Sequence, residues 1–405
     1  MIDLDRLSQL AQPSPQRIVL LVVDGVGDVR TAAQPRTPLE AAHIPHLDAL
    51  AARGSLGRLL PVSPGITPGS GPGHLALFGY DPLAPEADIG RGVLEALGAG
   101  LEVRAADVAA RGNFATADAA GNLTDRRAGR IPTSECVRLV EGLRGAVPDL
   151  GGIEVVLEPG EGHRFVLLLR GGGASPRVAD TDPQRLGVPP LPARATDSEG
   201  EATAAKVRAL VTAFEAALAA EERANRVLLR GFSTLPHLRS LPELYGLRCG
   251  AFAGYPLYRG VAAACGMQVV PCGKRVGDVF DAAAEHWERF DFFFLHVKQA
   301  DQAGEDGDFA AKAAVLEEVD AALPRLLDLG PEVLAVTADH STPVPLAAHS
   351  WHPVPLLLTA PLAYVDPCDR FDETCAVTGH LGTLPAPALM PLLLAHAGRL
   401  QKFGA

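Results

Sequence analysis

The sequence predicts an α/β fold: a mostly parallel sheet between helices, interrupted by a smaller α+β module. Three observations carry this. Apolar runs at 17–23, 291–297 and 333–336 have the length and apolar character of parallel strands buried on both faces. Stretches with helical spacing, such as 309–327, alternate with them, so strand–helix–strand crossovers are expected. From about residue 102 to 190 the texture changes to short strands separated by Gly/Pro turns, which marks an inserted module. The expected organisation is therefore a core at 1–101, an insert at 102–190 and the rest of the core at 191–405.

Composition narrows the function. With 47% apolar and 21% charged residues among 405, the chain can bury a full core. A net charge of −12 argues against nucleic acid as a partner. No apolar run approaches the roughly 18 residues of a membrane span. The acidic opening MIDLDRLSQL lacks the basic start and apolar core of an export signal, so a cytoplasmic location is expected. The six cysteines, with no CxxC spacing, read as reduced, buried thiols.

Taken in order, 1–16 read as a polar lead-in, and strand 17–23 ends at Asp24-Gly25. A glycine there turns the backbone away and leaves the carboxylate free for a ligand, although an Asx-type turn would look the same. Thr37-Pro38 announces a helix with proline in its first turn, and a second helix follows near 47–53. Glycines on both sides of Ser70 set a hydroxyl at a helix N-terminus, where free N–H groups favour a phosphoryl group; a capping serine is the alternative.

The insert reads as a strand at 108–116, a basic turn at 124–130, a helix at 134–144 and strands at 153–158 and 163–169. Arg111, Arg126, Arg127, Arg130, His163 and Arg164 make it basic inside an acidic chain, and guanidinium forks suit carboxylate or phosphate. A linker at 188–192 and a long helix at 199–225 lead back to core strands at 226–230 and 249–253 and a helix at 257–266. Strand 291–297 runs into Asp301 and Glu305, one helical turn apart, so both carboxylates can face one way. Strand 333–336 stops at Asp339-His340, with His349 and His352 in the proline-punctuated loop beyond; an N-cap Asp and a surface His would be the bland alternative. An apolar helix at 388–398 closes the chain. Three strand ends thus carry groups able to hold a divalent ion, at the edge where open α/β sheets collect ligands.

These residues also resemble a known family. VDGVGD (23–28), SGPGH (70–74), HLALFGYDP (74–82), TADH (337–340) and HSWHPVP (349–355) are similar to the archaeal-type cofactor-independent phosphoglycerate mutases, of the alkaline phosphatase superfamily. RGNFAT, DRRAGR, GHRFV and YRGVAAACGM extend the likeness along most of the chain. The resemblance implies an alkaline-phosphatase-like sandwich with a cap domain and two divalent ions, manganese first, with magnesium, cobalt or zinc as alternatives. It places one ion on Asp24, Ser70, Asp339 and His340, and the other on Asp301, residue 305 and His349. Ser70 would be the nucleophile, forming a phosphoserine while 3- and 2-phosphoglycerate interconvert without bisphosphoglycerate. Arg111, Asp125, Arg127, Arg130, His163 and Arg164 would bind substrate from the cap, which would close and keep water away. Arg259 and Lys298 would contact phosphate from the core.

One position departs from the family pattern: Glu305 stands where that pattern has His. A carboxylate there adds charge and hardens the site towards oxygen-preferring ions, and His352 or His296 are candidate substitutes. A metal-dependent phosphomonoesterase or related phosphotransferase would use the same core ligands. A non-catalytic metal- or phosphate-binding protein is a third reading, against which a nucleophile-type serine weighs. The partner that the resemblance implies is a small phosphorylated hydroxy acid, and a homo-oligomer stays open.

Overall fold

The computed structural model describes residues 3–404; Met1, Ile2 and Ala405, the outer ends of the expected lead-in and core, lie outside them. Its strands, in chain order, are β1 (Ile18–Val23), β2 (Ser55–Leu60), β3 (Val108–Ala117), β4 (Leu123–Asp125), β5 (Glu154–Pro159), β6 (Arg164–Arg170), β7 (Arg226–Ser233), β8 (Cys249–Ala253), β9 (Gln268–Val270), β10 (Phe292–Val297), β11 (Val333–Thr337), β12 (Val354–Thr359) and β13 (Gly382–Pro385). They belong to two compact units, Met1–Asp88 with Leu238–Ala405, and Ile89–His237. Among the described residues no helix is long and apolar enough to cross a membrane.

The first unit is a mixed α/β body on an eight-stranded sheet ordered β13-β2-β12-β11-β1-β10-β8-β9. β11, β1, β10, β8 and β9 run parallel, whereas β12 is antiparallel to β11 and β2. Every residue of β1 and β10 is buried, because helices cover both faces of a parallel sheet and leave no polar side. Phe292, Phe293 and Phe294 are fully enclosed, each contributing about 2 kcal/mol of apolar burial. The register aligns the strand ends. Val22 lies opposite His296 on β10 and Thr337 on β11, so the three central strands end level. The loops after them, beginning at Asp24, Lys298 and Ala338, leave the sheet side by side.

Local signals in this unit act as read. Thr37 and Glu40 form a reciprocal capping box around Pro38. Ser70 opens the Ser70–Leu77 helix, but the N-cap is Gly69. The capping reading of Ser70 is therefore excluded, since a capping side chain belongs to the residue before the first turn. The lead-in reading of 1–16 is corrected: Leu4–Leu10 is a helix, N-capped by Asp3 and held by the buried Leu7.

The second unit is a five-stranded antiparallel sheet, with β3 at its centre between β6 and β7. Alternation along β6 sends Phe165, Leu167 and Leu169 into one core with Leu139, Leu143, Leu210 and Phe214, and Val166 and Leu168 into a second with Val93 and Ala96. This body runs from Ile89 to His237, wider than the expected 102–190. The Glu201–Ala217 helix, shorter than the expected 199–225, and strand β7, expected to resume the core, both belong here. The physical reason is pairing: β7 bonds along β3 from Ala115↔Arg226 to Ala109↔Ser233, a partner more than a hundred residues earlier that no local pattern announces. The expectation of six buried thiols is also corrected, because Cys272, Cys368 and Cys375 are half-buried while Cys136, Cys249 and Cys265 are enclosed.

Candidate metal centre

Asp24, Asp301, Asp339 and His340 are completely buried. Their ligand atoms form two groups, Asp24–Asp339–His340 and Asp301–His340–His349, each with all atoms within 4.8 Å of one another. His340 is common to both. Its Nε2 lies 3.4 Å from Asp24 Oδ1 and 3.3 Å from Asp339 Oδ2. On the other side of the ring, Nδ1 meets Thr342 Oγ1 at 3.1 Å, and that hydroxyl donates to Asp301 Oδ1. This order puts a proton on Nδ1, facing the Thr342 hydroxyl, and turns Nε2 towards the two carboxylates, the orientation in which an imidazole can ligate a metal.

Both oxygens of Asp24 and of Asp339, together with His340 Nε2, receive no well-directed hydrogen bond. Buried polar atoms are normally paired, so five orphaned ligand atoms around one small volume fit a cation. The same observation removes the Asx-turn reading of Asp24 and the N-cap reading of Asp339, since either would employ those oxygens. The residues present therefore fit divalent ions.

The electrostatics agree. Burial raises the Asp24 carboxyl, but the His296 contact, His340 and Lys298 outweigh it and hold the group well below its usual range. Asp339 is pushed well above its usual range by burial and by the charge of Asp24. Two carboxylates this close, both shut off from solvent, cannot both stay ionised unless a cation joins them. Lys298 stands between Asp24 (3.4 Å) and Asp301, to which it donates. Burial lowers its pKa, but those carboxylates raise it overall, so it remains an ammonium.

The second group is more open. His349 Nε2 lies 3.4 Å from Asp301 Oδ1 and 3.5 Å from Glu305 Oε1, and its ring stacks on His340 with centroids 3.7 Å apart. Glu305, at the end of the Gln299–Glu305 helix, has a half-exposed side chain. It can reach the group without being enclosed by it. His352 takes no part; its Nδ1 meets Ser350 Oγ at 3.0 Å.

Ser70 is drawn in by its helix. His74 Nδ1 is 2.7 Å from the Ser70 carbonyl and 3.2 Å from Asp339 Oδ2, and the Tyr258 phenol contacts both the Ser70 hydroxyl and Asp24. The helix can approach because residue 73 is glycine: a Cβ there would lie 2.5 Å from the Asp339 carbonyl. Gly25 is equally constrained, at φ +69° with a Cβ position 2.8 Å from Asp301 Cα. Gly25→Ala is expected to cost about 1–3 kcal/mol of stability; unchanged stability in a urea melt would show that the turn relaxes freely.

Sequence reading gave no role to His74, Tyr258 or Thr342, and it offered His296 as a substitute ligand for position 305, whereas the structure sets it beside Asp24. His296 lies 3.3 Å from Asp24 Oδ2 and stacks on Tyr258 with centroids 3.6 Å apart. Burial pushes both His74 and His296 down to about 4, so both are neutral spacers behind the carboxylates. His296 and His74 sit in apolar stretches where a core histidine reads the same way. Thr342 had no signal at all. Arg259, from the Pro256–Ala264 helix, has a buried Nε without a partner among the described residues.

In the second unit, His163 is surrounded by Arg164, Arg111, Arg127 and Asp125, and burial followed by those guanidiniums pushes it down to about 4. Arg111 lies opposite Arg230 across the β3–β7 ladder and 3.3 Å from Glu95; burial and like charges push it down to about 10. Asp125 has a local task, accepting the N–H groups of Arg127 and Gly129 at 2.7 Å each. Arg130 sits in the same turn at φ 54°. Arg126 is a bidentate partner of Asp182, at 2.8 and 2.7 Å.

Comparison with known proteins gives a consistent result. Residues 51–224 match the family model described as 2,3-bisphosphoglycerate-independent phosphoglycerate mutase. A Thermus thermophilus protein named "Probable 2,3-bisphosphoglycerate-independent phosphoglycerate mutase" is 50% identical over 402 residues, 98% of each chain. One of the same name from Thermotoga neapolitana is 48% identical over 400 residues, again 98% of each. The solved structure of a Pyrococcus horikoshii protein superposes with TM-score 0.80 at 28% identity, covering 96% of this chain and 99% of that one. The cofactor-independent phosphoglycerate mutase of Thermoplasma acidophilum does so with TM-score 0.71 at 29% identity, covering 95% and 100%.

Proposed function

The chain belongs to the 2,3-bisphosphoglycerate-independent phosphoglycerate mutase family, and on that premise we propose that it interconverts 3- and 2-phosphoglycerate through a phosphoserine on Ser70. The observation that carries the metal-dependent part of this reading is the set of orphaned carboxylate oxygens at the ends of β1 and β11. Asp24, Asp339, His340 and Ser70 would hold one divalent ion; Asp301, His349 and Glu305 the other. Such ions supply charge neutralisation of the phosphoryl oxygens and a lowered serine pKa.

The chain's own groups do the rest. Ser70 Oγ gives up its proton and attacks phosphorus as the bond to the glycerate oxygen breaks, and the departing alkoxide takes up a proton. The glycerate then turns, and its other hydroxyl loses a proton and attacks phosphorus as the bond to Ser70 Oγ breaks; Ser70 Oγ regains a proton, so that only the phosphoryl group has moved. Lys298, kept protonated between Asp24 and Asp301, offers a fixed positive charge to phosphoryl oxygens. The helix beginning at Ser70 adds the positive end of its dipole. The guanidiniums of Arg111, Arg127 and Arg164 around a neutral His163 suit a carboxylate, and Arg259 suits phosphate. A cytoplasmic setting belongs to the same proposal.

The test is an assay on 3-phosphoglycerate with manganese and no bisphosphoglycerate, following 2-phosphoglycerate and free phosphate together. The expected product is 2-phosphoglycerate without phosphate release; phosphate alone would move the assignment to a phosphomonoesterase. Glu305 also predicts the metal. A carboxylate beside Asp301 and His349 favours manganese or magnesium, and Glu305→His is expected to shift preference towards zinc and cobalt. Competitive metal-binding titrations check this, and an unchanged order of preference would remove Glu305 from the ligand set.

A further inference from the structure

Lys312, in the first half of the Phe309–Leu327 helix, is fully buried. A lysine reaches that state only when its ammonium is paired. Here three acceptors are supplied: Asp28 Oδ2 at 2.9 Å, the Thr342 carbonyl at 2.8 Å and the Gly27 carbonyl at 3.2 Å. These use all three ammonium hydrogens. Asp28 is committed in turn, its Oδ2 accepting the Val344 N–H at 3.0 Å and its Oδ1 that of Val29 at 2.8 Å.

The groups joined in this way lie on the two loops that carry the metal-type ligands. Gly27 and Asp28 follow Asp24 in one loop; Thr342 follows His340 in the other. The loops also bond directly, Thr342 N–H donating to the Gly25 and Gly27 carbonyls at 3.3 and 3.1 Å. The Thr342 hydroxyl, held by the same backbone, is the group between His340 Nδ1 and Asp301. Neither Asp28 nor Lys312 is among the clustered ligand atoms. A buried ion pair is an expensive way to join a helix to a loop, and apolar packing of the same volume would often serve stability as well or better. What the pair supplies beyond packing is direction, because its bonds fix two specific carbonyls.

We propose that Lys312, paired with Asp28, is a positioning residue that locks the loop after Asp24 to the loop after His340 and so sets the spacing of the two cation-binding groups. The inference rests on the metal-dependent reading above. Through Thr342 its effect reaches both groups, since His340 belongs to each.

Two variants test it on the full chain, read by manganese-binding isotherms and by melting of the metal-free protein. Asp28→Asn keeps an oxygen for Lys312 and is expected to fold, with manganese binding weakened about tenfold. The double variant Asp28→Asn/Lys312→Met removes both charges while keeping the volume, and is expected to weaken binding by up to about 100-fold. A pair that only stabilises the fold would lower the metal-free melting temperature and leave both dissociation constants alone. Unchanged manganese affinity in Asp28→Asn overturns the proposal, whether or not the double variant folds. Failure of the unmutated protein to bind manganese would instead overturn the metal-dependent reading.

Discussion

Ser70→Ala is expected to lower turnover by at least about 10³-fold, the scale on which a nucleophile's removal acts, while the protein stays folded. The hydroxyl caps no helix and stands at the first position of the Ser70–Leu77 helix, beyond the N-cap Gly69. Its loss should therefore change stability by no more than about 0.5 kcal/mol. Its surroundings are chemical: the Tyr258 phenol touches it, and the helix that carries it lies against the Asp339 carbonyl at Gly73. A steady-state assay on 3-phosphoglycerate beside a thermal melt reads both effects. Turnover close to that of the unmutated protein would mean that another group attacks phosphorus.

Removing divalent ions with a chelator should abolish activity and also destabilise the protein, and manganese should restore both. Metal-free, the site encloses three carboxylates, Asp24, Asp301 and Asp339, with no water-exposed surface. The strain shows in opposite displacements, Asp24 held ionised and Asp339 driven towards the neutral acid. A divalent ion would relieve both and would bind only the folded arrangement, because Asp24 and Asp339 are brought together by strand pairing. At a hundredfold excess over its dissociation constant such an ion stabilises by about 2.7 kcal/mol per site. A melting temperature independent of manganese concentration would count against resident ions in this site.

Much of this site could be read from residue order, for a definite reason. A buried parallel strand writes itself as an unbroken apolar run, and the residues just after the run must lie at the sheet's carboxyl edge. Asp24 after β1 and Asp339-His340 after β11 are within three residues of strands whose positions the pattern dictates. Asp301 and Glu305 were legible as a pair because helical spacing is also local. The capping box at Thr37 and the helix start at Ser70 belong to the same class of signal.

Other features depend on which distant segments meet. Chain order could not reveal that β11, β1 and β10 lie adjacent and end in register, so that three strand ends become one site. Nor could it assign β7 to the second unit, because its partner β3 is chosen by side-chain fit across a long interval. The Lys312–Asp28 pair spans 284 residues, and each member by itself reads as an ordinary surface charge. His74 looks like a core histidine until the fold sets it behind Asp339, and His296, read as a substitute ligand for position 305, lies instead behind Asp24. The identities of the clustered carboxylates and His340, then, were carried by the sequence, because local periodicity pins them to strand ends. Their convergence, their protonation and the groups that brace them came from tertiary packing, because those depend on distances across space that no local pattern encodes.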